Sequence, residues 1–275
     1  MNTLPIEPAH LPAAPLKAMV FIDGQNLFHR VKSLFGHQEP DFDIRSLSGA
    51  VCKRMGWEAS EVFFYSGIPT LEESPHWHRF WNAKLASVQA QSGMPVHAFT
   101  PPLRYRNEWT QRYDGEWRVY RSPQEKGVDV RLALDMVAAT YERRCDAMVL
   151  MTEDSDLQQG VDRCLEIAKA QGRNLLIANA IPQDFNSPVP RRALNQTTPV
   201  RFDKAFYESH IDANQSAHFG RLCTNIVTVP LEYQSSAAIL NQEALQRGHR
   251  ALLATEGHRA EQRQQAGQFA WARSS

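Results

Sequence analysis

Three short segments of this chain end in carboxylates: Phe21-Ile22-Asp23-Gly24-Gln25-Asn26, Glu125-Lys126-Gly127-Val128-Asp129-Val130 and Thr152-Glu153-Asp154-Ser155-Asp156-Leu157. Any one of Asp23, Asp129, Asp154 and Asp156 could simply cap the helix that follows it, a common use for Asp at that position. Taken together they carry a different implication. Two carboxylates about 4 Å apart repel by roughly 4 kcal/mol at an effective dielectric near 20, so a cluster of four requires protons or a divalent cation. Oxygen ligands without an accompanying Cys or His cluster point to Mg2+ or Mn2+ rather than zinc. Water held by such an ion can hydrolyse a phosphodiester.

A second feature lies between Arg104 and Lys126, where Arg104, Arg106, Arg112, Arg118 and Arg121 alternate with Tyr105, Trp109, Tyr113, Trp117 and Tyr120. That mixture suits phosphate contacts and base stacking on a single strand. It equally suits a solvated hairpin packing its aromatics on its own scaffold, and Glu108, Asp114 and Glu116 interrupt the positive charge. Arg191-Arg192 is a smaller basic spot with the same two readings. His76-Trp77-His78 is not read as a metal site, because alternate positions on a helix face apart. Trp77, Phe80 and Trp81 are read as core.

To bring the acids together the chain needs a sheet with strands ending at one edge. Ala18–Ile22, Glu61–Tyr65, Val96–Phe99, Ala147–Met151 and Asn174–Ala178 read as short buried strands. Helices are expected from Asn26 to Leu34, from an Asp43 cap to Met55 with Gly56 as its stop, from Ser74-Pro75 towards Gly93, and from Asp156 to Ala170 before Gly172. A helix over Val130–Tyr141 should turn Val130, Leu134, Val137 and Tyr141 to a core. Residues 103–122 form a hairpin or a surface excursion around Asp114-Gly115. Arg191–Gln196, Val200–Phe202 and Ala205–Glu208 could add a helix, an edge strand and a helix. Strands alternating with helices imply an α/β fold with a mostly parallel sheet flanked by helices. Ligands then bind beyond the carboxyl ends of the strands, where Asp23, Asp154 and Asp156 fall and Asp129 opens the helix before the strand Ala147–Met151.

The 275 residues allow one such domain with an appendage. Thirty basic and thirty acidic residues cancel, so net charge argues neither for nor against a nucleic-acid partner. Four scattered cysteines without a C-x-x-C pair suit a reducing cytoplasm. Four prolines before Lys17 exclude a signal peptide there, and no run of 18 apolar residues could span a membrane. The expected division is a Pro-rich extension over residues 1–16, a domain over 17–211 and a helical or partly disordered appendage over 212–275.

The segments Ile22-Asp23-Gly24-Gln25-Asn26, Lys126-Gly127-Val128-Asp129-Val130 with Leu134-Asp135-Met136, and Asp154-Ser155-Asp156-Leu157 together resemble the NYN domain family, in order and spacing, over about Lys17 to Phe202. The resemblance implies a Rossmann-like, PIN-type fold and metal-dependent endoribonuclease activity. It implies Asp23, Asp129, Asp154 and Asp156 as catalytic and metal-binding residues, with Asn26 beside them. Asp135 also matches, but it lies about 120° around the helix from Asp129 and is read as a structural acid. Lys126 could meet a phosphate or pair with a carboxylate, and it joins Asn26, Arg104 and Arg106 as candidate substrate contacts for RNA. Glu153 departs from the family, which commonly has glycine there, and could either join the ion's shell or crowd it. Two alternatives remain open: a non-catalytic RNA-binding module of the same fold, and an aspartyl phosphatase with Asp23 as nucleophile. The second lacks the usual acid two residues after the nucleophile, where Gln25 stands. Nucleotide-binding glycine motifs are absent from the sequence. Oligomeric state is not legible.

Overall fold

The structure is a computed structural model and describes residues 14–111, 115, 117–186 and 192–212. In chain order its elements are β1 (Leu16–Asp23), α1 (Gly24–Phe35), α2 (Ile44–Arg54), β2 (Trp57–Tyr65), α3 (Pro75–Ala90), β3 (Val96–Phe99), β4 (Arg104–Gln111) and β5 (Trp117–Gln124). There follow α4 (Val128–Tyr141), β6 (Ala147–Met151), a 3-10 turn (Ser155–Leu157), α5 (Gln158–Ala170), β7 (Leu176–Pro182), β8 (Thr198–Phe202) and α6 (Lys204–Glu208). Six strands form one parallel sheet in the order β3-β2-β1-β6-β7-β8, while β4 and β5 make a separate antiparallel ribbon. The chain builds outward from β1 through β2 to β3, then returns to lay β6 on the other side of β1. The β1/β6 boundary is therefore where the connections diverge.

The two central strands are apolar along their length because both faces are covered. Ala18 to Asp23 in β1 and all of β6 are buried. Met19 and Phe21 share one face with Met148, Leu150 and Ile177, where Leu132, Met136, Val161 and Cys164 of α4 and α5 complete the core. Alternation turns Val20 and Ile22 to the opposite face, which Leu27, Val31, Ile44, Leu47 and Val51 of α1 and α2 help to bury. Asp43 caps α2 by accepting from the Ser46 amide, and Gly56 stands just past its end at φ +70°.

Several expectations need correction. Of the stripe expected on α4, Val137 packs against the core, but Val130, Leu134 and Tyr141 are 62%, 59% and 71% exposed, and the buried residues are Val128, Leu132, Met136, Ala139 and Thr140. Both sets recur at helical spacing on a helix that is apolar almost all round, so periodicity alone leaves the choice to tertiary packing. Residues 192–196 are not helical. There the backbone amides bond to side chains instead of to an i−4 carbonyl, Leu194 N–H to Asn179 Oδ1 at 3.0 Å and Asn195 N–H to Gln158 Oε1 at 2.7 Å, and Gln196 has φ +58°. The expected helix from Asp156 starts as the 3-10 turn and becomes α-helical at Gln158, and the strand expected over Asn174–Ala178 runs from Leu176 to Pro182. Arg191, Arg112, Tyr113 and the appendage beyond Asp212 lie outside the described residues. Among those described, no helix is long and apolar enough to cross a membrane.

Lys84 of α3 is fully buried, with its Nζ donating to the Phe42 carbonyl at 2.6 Å and lying 5.2 Å from the Phe42 ring centroid. Burial lowers its pKa to about 8 against the opposing pull of Asp212, Asp43 and Asp41. Below pH 8 the folded state carries the cost of a buried ammonium. Between pH 8 and the ordinary lysine value, only the unfolded chain keeps the proton, so stability rises with pH.

Two measurements test this description. Denaturant titrations from pH 7 to pH 10 should show the parent gaining on Lys84→Met by about 3 kcal/mol; parallel curves would refute the depressed amine. Leu132→Ala should cost about 2–5 kcal/mol, whereas Leu134→Ala should stay within about 0.5 kcal/mol of the parent.

Candidate active site

The carboxyl edge of the sheet at the β1/β6 boundary gathers the acids. Asp23 is the last residue of β1, only 3% exposed, and both its oxygens are engaged: Oδ1 accepts from the Asn26 amide at 3.0 Å and Oδ2 from the Thr152 hydroxyl at 3.2 Å. It thus caps α1 while facing the loop after β6. The helix begins at once because residue 24 is glycine; a Cβ there would stand 2.5 Å from the Phe64 ring. Asn26 closes the same junction, its Oδ1 accepting from the Glu153 amide at 2.9 Å.

Thr152 then positions the next acid, since its hydroxyl oxygen also accepts from the Asp154 amide at 3.1 Å. Asp154 caps the 3-10 turn by accepting from the Asp156 amide at 2.9 Å, and this leaves Asp156 exposed at the outer rim. Asp129 arrives from the other side in the first turn of α4, which Gly127 opens at φ +78°. The bland capping role and membership of the cluster therefore coexist in Asp23 and Asp154.

Electrostatics show that these acids share one region. Burial first, and then the charges of Asp129 and Asp154, push the Asp23 carboxyl up to about 6, against the lowering effect of its hydrogen bonds. Asp129 is raised by burial and by Asp154 and Asp156. A further acid, passed over in the sequence reading, belongs here. Glu125 is pushed up to about 7 by burial foremost and also by Asp23 and Asp129, and its Oε1 accepts from the Gly67 amide just past β2. The signal was present in Glu125-Lys126-Gly127-Val128-Asp129, where a glycine turn separates two acids, but the glutamate reads as the tail of a hairpin.

Glu153 is paired across the β1–β6 junction. Its carboxylate meets Arg30 of α1 at 2.5 Å, with both side chains largely covered, so the extra charge is matched by a guanidinium. Asp135 is structural: it accepts from the Tyr65 hydroxyl at 2.8 Å and from Arg131 at 2.9 Å. Lys126, Arg104 and Arg106 are exposed, and none forms an ion pair with a described residue. Of the expected substrate contacts, Asn26 is tied directly into the acidic loops.

The donor set is all oxygen, which fits a hard divalent cation. Among the described residues no three His, Cys, Asp or Glu side chains already stand together as a closed cage for an ion. That is compatible with an ion using few carboxylates and keeping its waters, the ordinary behaviour of Mg2+.

A family model described as the NYN domain matches residues 17–198. The crystal structure of a protein of unknown function from Vibrio parahaemolyticus aligns with a TM-score of 0.41 and 15% identity, over 70% of this chain and 97% of that one. No curated protein matches the sequence.

The Arg30–Glu153 pair makes a stability prediction. Arg30→Ala should cost about 2 kcal/mol by leaving the carboxylate without its cation, and Glu153→Ala in the same chain should restore much of it. Equal stability of Arg30→Ala and the parent in urea would refute the assigned role.

Proposed function

The chain belongs to the NYN domain family, and on that premise we propose that it is a metal-dependent endoribonuclease acting on single-stranded RNA, with Mg2+ or Mn2+. One observation carries the reading: at the sheet's switch point the charges of Asp129 and Asp154, from two other stretches of chain, raise the proton affinity of Asp23, and Asp154 does the same to Asp129. Carboxylates so placed gain from a cation that replaces those protons. Asp23, Asp129, Asp154 and Asp156 are the residues that would hold the ion. Such an ion, when bound, lowers the pKa of an attacking water and offsets charge on the leaving oxygen.

The chain's own residues do the positioning. Thr152 holds Asp23 and Asp154 in one arrangement, and Asn26 fastens the β1 end to the loop after β6. Arg30 keeps Glu153 matched, which limits the negative charge an incoming phosphate must approach. Lys126, Arg104 and Arg106 offer exposed cations to the RNA backbone. Buried Cys52, Cys145 and Cys164 are free thiols and suit a cytoplasmic location.

A non-catalytic RNA-binding module of the same fold is the second reading, favoured by the lack of a ready-made ion cage among the described residues. Labelled single-stranded RNA with added Mn2+ separates the two. The parent should cut it, chelation should stop the cutting, and Asp129→Asn or Asp154→Asn should slow it at least about a hundredfold, the upper end of losses seen for outer-shell partners of metal ligands. Matched DNA should be cut less. Intact RNA in every lane would leave the binding module as the answer.

A further inference from the structure

A cavity of about 260 Å3 is lined by residues next in the chain to, or hydrogen-bonded to, members of the acidic cluster. Gly24, which follows Asp23, and Gly67, whose amide holds Glu125, both line it. Four aromatic side chains also line it, Phe28 from α1, Trp77 and Trp81 from α3, and Tyr105 from β4, among prolines and Leu103. The sequence reading assigned Trp77 to the core, but it is only half-buried, whereas its neighbours Phe80 and Trp81 are buried.

These rings are held in place. Trp77 packs edge-on to Phe80 with centroids 5.3 Å apart, and Trp81 lies 5.5 Å from Phe64 of the sheet. Tyr105 has the Arg121 guanidinium 5.3 Å from its centroid, and Arg121 is in turn fixed by Glu73 at 2.8 Å. Gln25 supplies a polar edge; its Nε2 donates to the Gly67 carbonyl at 3.2 Å, which leaves its Oε1 as the acceptor. The volume is below the roughly 300–1,000 Å3 of pockets that enclose a drug-sized ligand. A small planar group fits it better than a cofactor does.

We infer that this cavity receives one unstacked nucleobase of the RNA strand, next to the phosphate presented to the carboxylates, and so sets where the strand sits. The inference rests on the RNA reading above. Every base has a flat face, so aromatic walls give strength, while Gln25 at the rim favours bases that carry an exocyclic amine.

The test uses the full chain carrying Asp129→Asn, so that strands stay intact, and a fluorescent single-stranded RNA in which one nucleotide at a time is made abasic. Anisotropy should show a single position whose loss weakens binding about ten- to hundredfold, the range of one base stacked on an aromatic ring. Trp77→Ala should weaken the intact strand by a similar factor and add nothing on the strand abasic at that position. Tyr105→Leu is the second variant should circular dichroism show that Trp77→Ala does not fold. A flat abasic profile overturns the inference, as does equal weakening of intact and abasic strands by either variant. So does binding of a tryptophan-bearing peptide that RNA fails to displace. Cutting by the parent together with a flat profile rejects the pocket alone, whereas a single sensitive position without any cutting rejects the nuclease and keeps the pocket.

Discussion

The parallel pairing of β1 with β6 is the constraint on which the rest depends. Register places Ile22 against Met151, so the residues leaving the two strands, Asp23 and Thr152, come within hydrogen-bonding reach. A parallel pair cannot be joined by a tight turn. The intervening chain is used to build β2, β3, the β4–β5 ribbon and α4, which returns Asp129 to the same edge. Burial at this junction has two effects at once. It shelters the hydrogen bonds that aim Asp23, and it makes an unneutralised charge there costly.

That double effect explains the arrangement of the surrounding charges. Glu153 would add another carboxylate to a crowded edge, but Arg30 meets it from α1. Asp135, six residues further along α4 than Asp129, is occupied with Tyr65 and Arg131. Among the described residues, no Lys or Arg forms an ion pair with the acids at the switch point, Asp23, Glu125, Asp129, Asp154 and Asp156. The proposed chemistry concerns the residues that the fold leaves in electrostatic conflict.

Much of this was legible because the signals were local. Apolar runs closing in Asp23 and preceding Asp154 marked buried strands, Asp43 marked a cap, and alternating elements implied the parallel sheet. Glycine at 24, where only hydrogen leaves room beside Phe64, is an equally local requirement whose reason appears only in three dimensions. What escaped depends on distant partners. The orientation of α4 was ambiguous because two apolar stripes compete, and the non-helical path through Leu194 is imposed by side chains of Gln158 and Asn179, far away in sequence. Glu125 gains its place through the Gly67 amide, and Trp77 lines a cavity to which Tyr105 and Phe28 come from other elements.

The ribbon of β4 and β5 is strapped at its root by two contacts to one stretch. The Leu103 amide donates to the Ile68 carbonyl on entry, and Glu125 accepts from Gly67 on exit. A ribbon anchored at both feet to adjacent residues behaves as a stiff lever rather than a loose flap. Force applied along its arm reaches Glu125 through bonded neighbours, so movement of the ribbon and the position of that acid are coupled through the shared foothold.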